Sequence, residues 1–166
     1  MTEQPQPFPR ASFFRRLAAM IYDALVATAV GMCAALVITS VMVALIENDV
    51  LDKLGHEHAS QAIQASLLYT GIVQLWVGIW IVGFFLWFWK HGGQTLGMRA
   101  WRLRLFSSND KPVTYSRLLL RMLASLGGIG TLLALVDFRS KLALQDRVSK
   151  MEVLSLSKQA NDHKNW

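Results

Sequence analysis

Residues 17–46 read LAAMIYDALVATAVGMCAALVITSVMVALI, thirty positions in which Asp23 is the one Asp, Glu, Lys, Arg or His. About 20 apolar residues carry a helix across a hydrocarbon core of about 30 Å, so this run is long enough to span a bilayer. Residues 66–89, SLLYTGIVQLWVGIWIVGFFLWFW, hold no such group in 24 positions and pass the same test. A third apolar run, residues 118–136, covers 19 positions and is interrupted by Arg121 and by Gly127, Gly128 and Gly130. It reads as a broken or re-entrant segment, with a plain third span as the alternative. The whole chain of 166 residues is 53% apolar and 17% charged, which excludes disorder and argues against a soluble enzyme. All charges except Asp23 and Arg121 fall outside the three apolar runs. The expected fold is therefore an all-α membrane protein with two long transmembrane helices and a third broken or re-entrant apolar segment.

The basic residues set the expected orientation, because Lys and Arg near span ends stay on the cytoplasmic side. Arg10, Arg15 and Arg16 precede the first run in an N-terminal segment, residues 1–16. The next connection sets Lys53 against Glu47, Asp49, Asp52 and Glu57, whereas the one after it carries Lys90, Arg99, Arg102, Arg104, Lys111 and Arg117. These alternate as outside and inside. Arg139, Lys141, Arg147 and Lys150 then follow the third run closely, which favours a segment that enters and returns over one that crosses. Both termini are expected in the cytoplasm of a multi-pass protein of the bacterial inner membrane. Residues 17–156 form the membrane domain and residues 157–166 a polar tail. The first run is longer than the 7–15 residues of a signal-peptide core and contains Asp23, so cleavage is not expected. With a pI near 9.8 and this charge pattern, anionic lipid at the cytoplasmic face is the expected partner, and nucleic acid is not.

Along the first run, Arg16, Ala19, Asp23, Ala27, Gly31, Ala34 and Ala35 recur at spacings of three and four and share one helical face. Small residues on such a face let a neighbouring helix approach, so the face reads as a packing seam, with a polar pathway as the sharper alternative. Leu25, Val26, Leu36 and Val37 lie mostly on other faces. The second run ends in Phe84, Phe85, Trp87, Phe88 and Trp89, an interfacial aromatic belt before Lys90. Gln74 lies well inside that run and is expected to bond a neighbouring helix. No cofactor or metal site is expected: His56, Glu57 and His58 sit in a polar loop with no third ligand placed by a regular element. Gly92, Gly93, Gln94, Thr95, Leu96 and Gly97 lack the Gly-Lys-Ser/Thr ending of a phosphate loop. Cys33 is the single cysteine, so no internal disulfide can form. No nucleophile–base arrangement stands out, and no enzymatic activity is expected.

Between the runs, Trp101, Leu103 and Leu105 alternate with Arg102 and Arg104, the pattern of a short amphipathic strand. Residues 151–156 are a weaker second strand. Two strands are marginal alone, so 101–106 is expected to pair with 151–156 as a small cytoplasmic element.

The segment from Phe14 through Arg16 and Met20 to Asp23 resembles the first motif of the RDD family of small bacterial membrane proteins, named for one arginine and two aspartates. Gly93, Gln94, Thr95, Leu96, Gly97, Met98 and Arg99 resemble its Gly-Gln-Thr-Leu-Gly-Lys segment, with Met98 for the usual lysine. Gln145, Asp146, Arg147 and Val148 are similar to a His-Asp-Lys segment, with Gln145 in place of histidine. The resemblance runs over about residues 12–156. It implies Arg16, Asp23 and Asp146 as the family's charged positions, with Arg121 matching a further arginine. It also implies a membrane protein for which transport of an ion or small solute, including sodium/proton exchange, has been proposed in some members. The alternative is a non-catalytic scaffold, or an assembly partner in a homo-oligomer or beside another membrane protein, with a buried Asp–Arg pair. Depth counting along the helices leads to Asp23 beside Arg121, with Arg16 anchored at headgroup level.

Overall fold

The computed structural model describes residues 8–109, 111–132 and 142–162. Two long helices, α1 (Phe13–Glu47) and α3 (Leu67–His91), coincide with the first two apolar runs and are long and apolar enough to cross a membrane. At a rise of about 1.5 Å per residue they measure about 52 and 37 Å. The remaining elements are short: α2 (Ala59–Ala65), α4 (Leu96–Ala100), β1 (Leu103–Ser107), α5 (Tyr115–Ser125), α6 (Leu144–Ser149) and β2 (Met151–Ser155). The third apolar run is not one continuous helix. It begins within α5, which ends at Ser125, and a 3₁₀ turn follows over Leu126–Leu132. Gly127 and Gly128 take φ values of 65° and 106°, a region costly for residues with a Cβ, so the glycines permit the break. Residues 133–136 of that run, together with Arg139 and Lys141, lie outside the described residues, as does the end of the polar tail.

The chain divides into two compact units. One, Val26–Phe84, holds most of the two long helices. Its buried cluster joins Met42 and Ile46 of α1 to Ala59, Ala62 and Ile63 of α2 and to Tyr69 of α3. The Tyr69 hydroxyl donates to the Asp52 carbonyl at 3.1 Å, and Thr70 Oγ1 donates to the Ile63 carbonyl at 2.9 Å. Along α1, Ala27, Gly31 and Ala34 are buried, while Leu25, Leu36 and Val37 are exposed, as the spacing predicts. A Cβ on Gly31 would lie 3.3 Å from Ile81 of α3, so the small residue is where α3 side chains close on α1. Gln74 departs from expectation: it is exposed, and its side chain forms no hydrogen bond with another described residue.

The other unit comprises Met1–Leu25 and Phe85–Trp166. Here β1 and β2 pair antiparallel, as expected for the two segments, with Leu105 opposite Val153 and Ser107 opposite Met151; Trp101 and Arg102, expected in the strand, form the turn before it. Leu103, Leu105, Met151 and Val153 are buried with Ala11, Ala19, Met98 and Leu118. The sheet is better supported than two strands alone. The Ala11 amide donates to the Val153 carbonyl at 2.9 Å and the Ser155 amide to the Pro9 carbonyl at 2.8 Å, so the chain before α1 lines the free edge of β2. On the other side, the Leu105 amide donates to the Gly93 carbonyl at 2.8 Å and Gln94 Nε2 to the Leu103 carbonyl at 2.7 Å. Both edges are thereby covered, which removes their tendency to pair with other chains.

Candidate functional site

Helix α1 presents Arg16 and Asp23 on one face, seven residues and about 10 Å apart along its axis. Both are buried, and each is met by a different part of the same unit.

At the level of Arg16, Asp146 is the hub. Its Oδ2 lies 2.6 Å from Arg16 Nη1 and its Oδ1 lies 2.6 Å from Arg121 Nη1, so one carboxylate bridges two guanidinium groups. The carboxylate is 0% exposed and its partners nearly as enclosed. Asp146 is the third residue of α6, and its Oδ2 also accepts the Ala143 amide at 3.1 Å, which caps the helix it belongs to. Arg16 Nε donates to the Ala11 carbonyl at 3.2 Å, and the Arg121 guanidinium lies over the Trp89 ring, 5.8 Å from its centroid. Burial pushes the Asp146 carboxyl upward, but the charges of Arg121 and Arg16, together with hydrogen bonds from Arg121 and the Ala143 amide, outweigh it and hold the group below the usual carboxylate range. Beside it, Gln145 is buried and its Nε2 donates to Thr131 Oγ1 at 2.8 Å.

At the level of Asp23 the surroundings are neutral. Asp23 Oδ2 accepts from Thr95 Oγ1 at 2.5 Å, and Oδ1 accepts the Gly97 amide at 2.8 Å. Thr95 is the N-cap of α4 and its Oγ1 also accepts the Met98 amide at 3.2 Å, so Asp23 secures the start of that short helix. Glycine is required at 97 by proximity: a Cβ there would overlap the Ala19 carbonyl and sit 2.9 Å from Asp23 Oδ1. Among the described residues no cation forms an ion pair with Asp23.

Two expectations are corrected. Asp23 does not pair with Arg121, whose carboxylate partner is Asp146. Arg16 is not a headgroup anchor but a buried member of the same cluster. Counting depth from the start of each apolar run omitted α6, which brings a carboxylate to the arginine level and leaves Asp23 about two helical turns away. The four charged positions thus form a trio and a singleton. Thr95 and Gly97 had appeared in the sequence only as part of a motif, and a threonine two residues after a helix-ending Gly-Gly was the available sign of an N-cap.

No curated protein and no solved structure matches the chain. The family model described as RDD family matches residues 10–150, a stretch that includes Arg16, Asp23, Thr95, Gly97, Arg121 and Asp146. With residues 10–150 of its 166 matched, the chain belongs to the RDD family.

Proposed function

We propose that this is an integral protein of the bacterial inner membrane, with α1 and α3 as its spans, both termini cytoplasmic, and Asp23 as a carboxylate that takes up and releases a cation during transport. The observation that carries the reading is the contrast between the two buried aspartates. Asp146 is neutralised by two arginines, whereas Asp23 is held by a hydroxyl and an amide, donors that orient a carboxylate without cancelling its charge. An ionisable group inside a membrane helix is a functional candidate by default, and a proton or sodium ion would supply the missing charge. In this reading the Arg16–Asp146–Arg121 cluster is the fixed brace. Exposed basic residues of the same unit, Arg15, Arg99, Arg102 and Arg147, suit contact with anionic headgroups.

The test is ion flux in proteoliposomes carrying the full chain, with sodium or proton gradients imposed. Asp23→Asn should still fold, since its Oδ1 can accept the Gly97 amide and its Nδ2 can donate to Thr95 Oγ1 with that bond reversed, yet abolish flux, while Asp23→Glu should retain part of it. Flux in Asp23→Asn equal to wild type would overturn the proposal. A second reading, a non-catalytic scaffold, is favoured by one observation: both aspartates end on the short helices α4 and α6 and tie them to other elements. It predicts no flux in the wild-type chain.

A further inference from the structure

In the unit Val26–Phe84, Gln74 is a polar group inside an apolar helix. It lies seven residues after the first residue of α3, about 10 Å along the axis, with Val73, Leu75 and Trp76 around it. Where α3 meets α1 and α2, the contact runs through Tyr69, Val73, Val77 and Ile81. Gln74 falls to one side of that seam and is exposed. Gly71 and Gly78 stand three residues before it and four after it, on the same face, and a Cβ at either would meet nothing within 4 Å.

We propose that this face of α3 is the contact between two copies of the chain, with the Gln74 carboxamides hydrogen-bonded to each other across a two-fold axis. The inference rests on the membrane reading of α3. Hydrocarbon offers no partner to a carboxamide, which has two N–H donors and an acceptor oxygen to satisfy. A second copy supplies the complement at the right depth: both copies insert with the same orientation, so a two-fold axis along the bilayer normal sets each residue opposite its own counterpart. A carboxamide is its own complement, donor to acceptor in both directions. The open positions at Gly71 and Gly78 let the two backbones come close enough for that bond to form.

The experiment uses the full chain with a C-terminal fluorescent fusion, in vesicles of phosphatidylethanolamine and phosphatidylglycerol. Energy transfer between copies is followed as lipid dilutes protein. Wild type should associate, Gln74→Leu should associate about threefold to thirtyfold more weakly, and Gln74→Asn should lie between them. In a Cys33→Ser background, Gly78→Cys should cross-link between copies on oxidation, and Leu36→Cys, exposed on α1, should not. Wild type that stays monomeric at every dilution, an unchanged Gln74→Leu, or equal cross-linking at 36 and 78 each overturns the dimer while leaving the membrane reading intact. Release of the wild-type chain from vesicles by alkaline extraction refutes the membrane reading itself, and this proposal with it.

Discussion

Replacing Asp146 by Asn should be the most damaging single change of charge in the chain. The carboxylate is fully enclosed and its two oxygens lie 2.6 Å from two different guanidinium groups. An asparagine of the same size keeps the shape but leaves two buried positive charges facing each other with no counter-charge. Removing one partner of a buried ion pair costs about 3–5 kcal/mol, because the remaining charge stays desolvated. For a protein of this length, each kcal/mol moves Tm by about 2–4 °C, so a fall of about 6–20 °C is expected. Thermal unfolding of detergent-solubilised chain, followed by fluorescence and by the fraction eluting as a single peak, measures it. The control is the triple replacement Arg16→Met, Arg121→Leu and Asp146→Leu, which removes every charge together. It should recover most of the loss, since buried ion clusters replaced by apolar side chains are often neutral or stabilising. A fall below about 2 °C in Asp146→Asn would refute the idea that this carboxylate neutralises both arginines.

Further outcomes follow from the same geometry. The Asp146 carboxyl titrates below its unfolded value, so its contribution is complete above the ordinary carboxylate range and is lost as pH falls through the folded value; the Tm gap between wild type and Asp146→Asn should be constant above about pH 5 and shrink below about pH 4. Gly97→Ala should destabilise by about 1–3 kcal/mol, read as a lower Tm, because the added methyl meets the Ala19 backbone and not a movable side chain. Thr95→Val removes the donor to Asp23 and the acceptor for the Met98 amide; a loss of about 1–3 kcal/mol is expected, and wild-type Tm would rule out a capping role.

Much of the fold was legible because the signals were long or strictly periodic. The α1 face from Arg16 through Asp23 to Ala34 could be read from spacings of three and four, and it is the face that is buried. The β1–β2 pairing followed from alternation at Leu103 and Leu105 and from the need of one marginal strand for another, the second segment being the weaker signal. What could not be read was made of pieces too short to show a period. Six residues of α6 decide which carboxylate meets Arg121, and a turn and a half of helix leaves no amphipathic signature. Pro9, Arg10 and Ala11 edge the sheet through backbone groups that any residue carries. Helix α2 hides among Gln61 and Gln64, whose amides mask the apolar side formed by Ala59, Ala62 and Ile63. The candidate site was legible as residues but not as partners: Arg16, Asp23, Arg121 and Asp146 stood out by charge and resemblance, and only the packing says that three of them share one bond network.

The order of synthesis gives the bond between Arg16 and Asp146 a kinetic meaning. The two residues are 130 positions apart, and the chain before α1 is paired with β2, which is also made late relative to α1. Ribosomes add about 5–20 residues per second, so Arg16 emerges about 6–26 s before its carboxylate exists. Over that interval α1 can enter a bilayer, but its first turns have neither their counter-charge nor their sheet edge. A later-made stretch therefore completes an earlier one, and a nascent chain cut short before Asp146 presents an unneutralised arginine and leaves the segment before α1 without its strand partner.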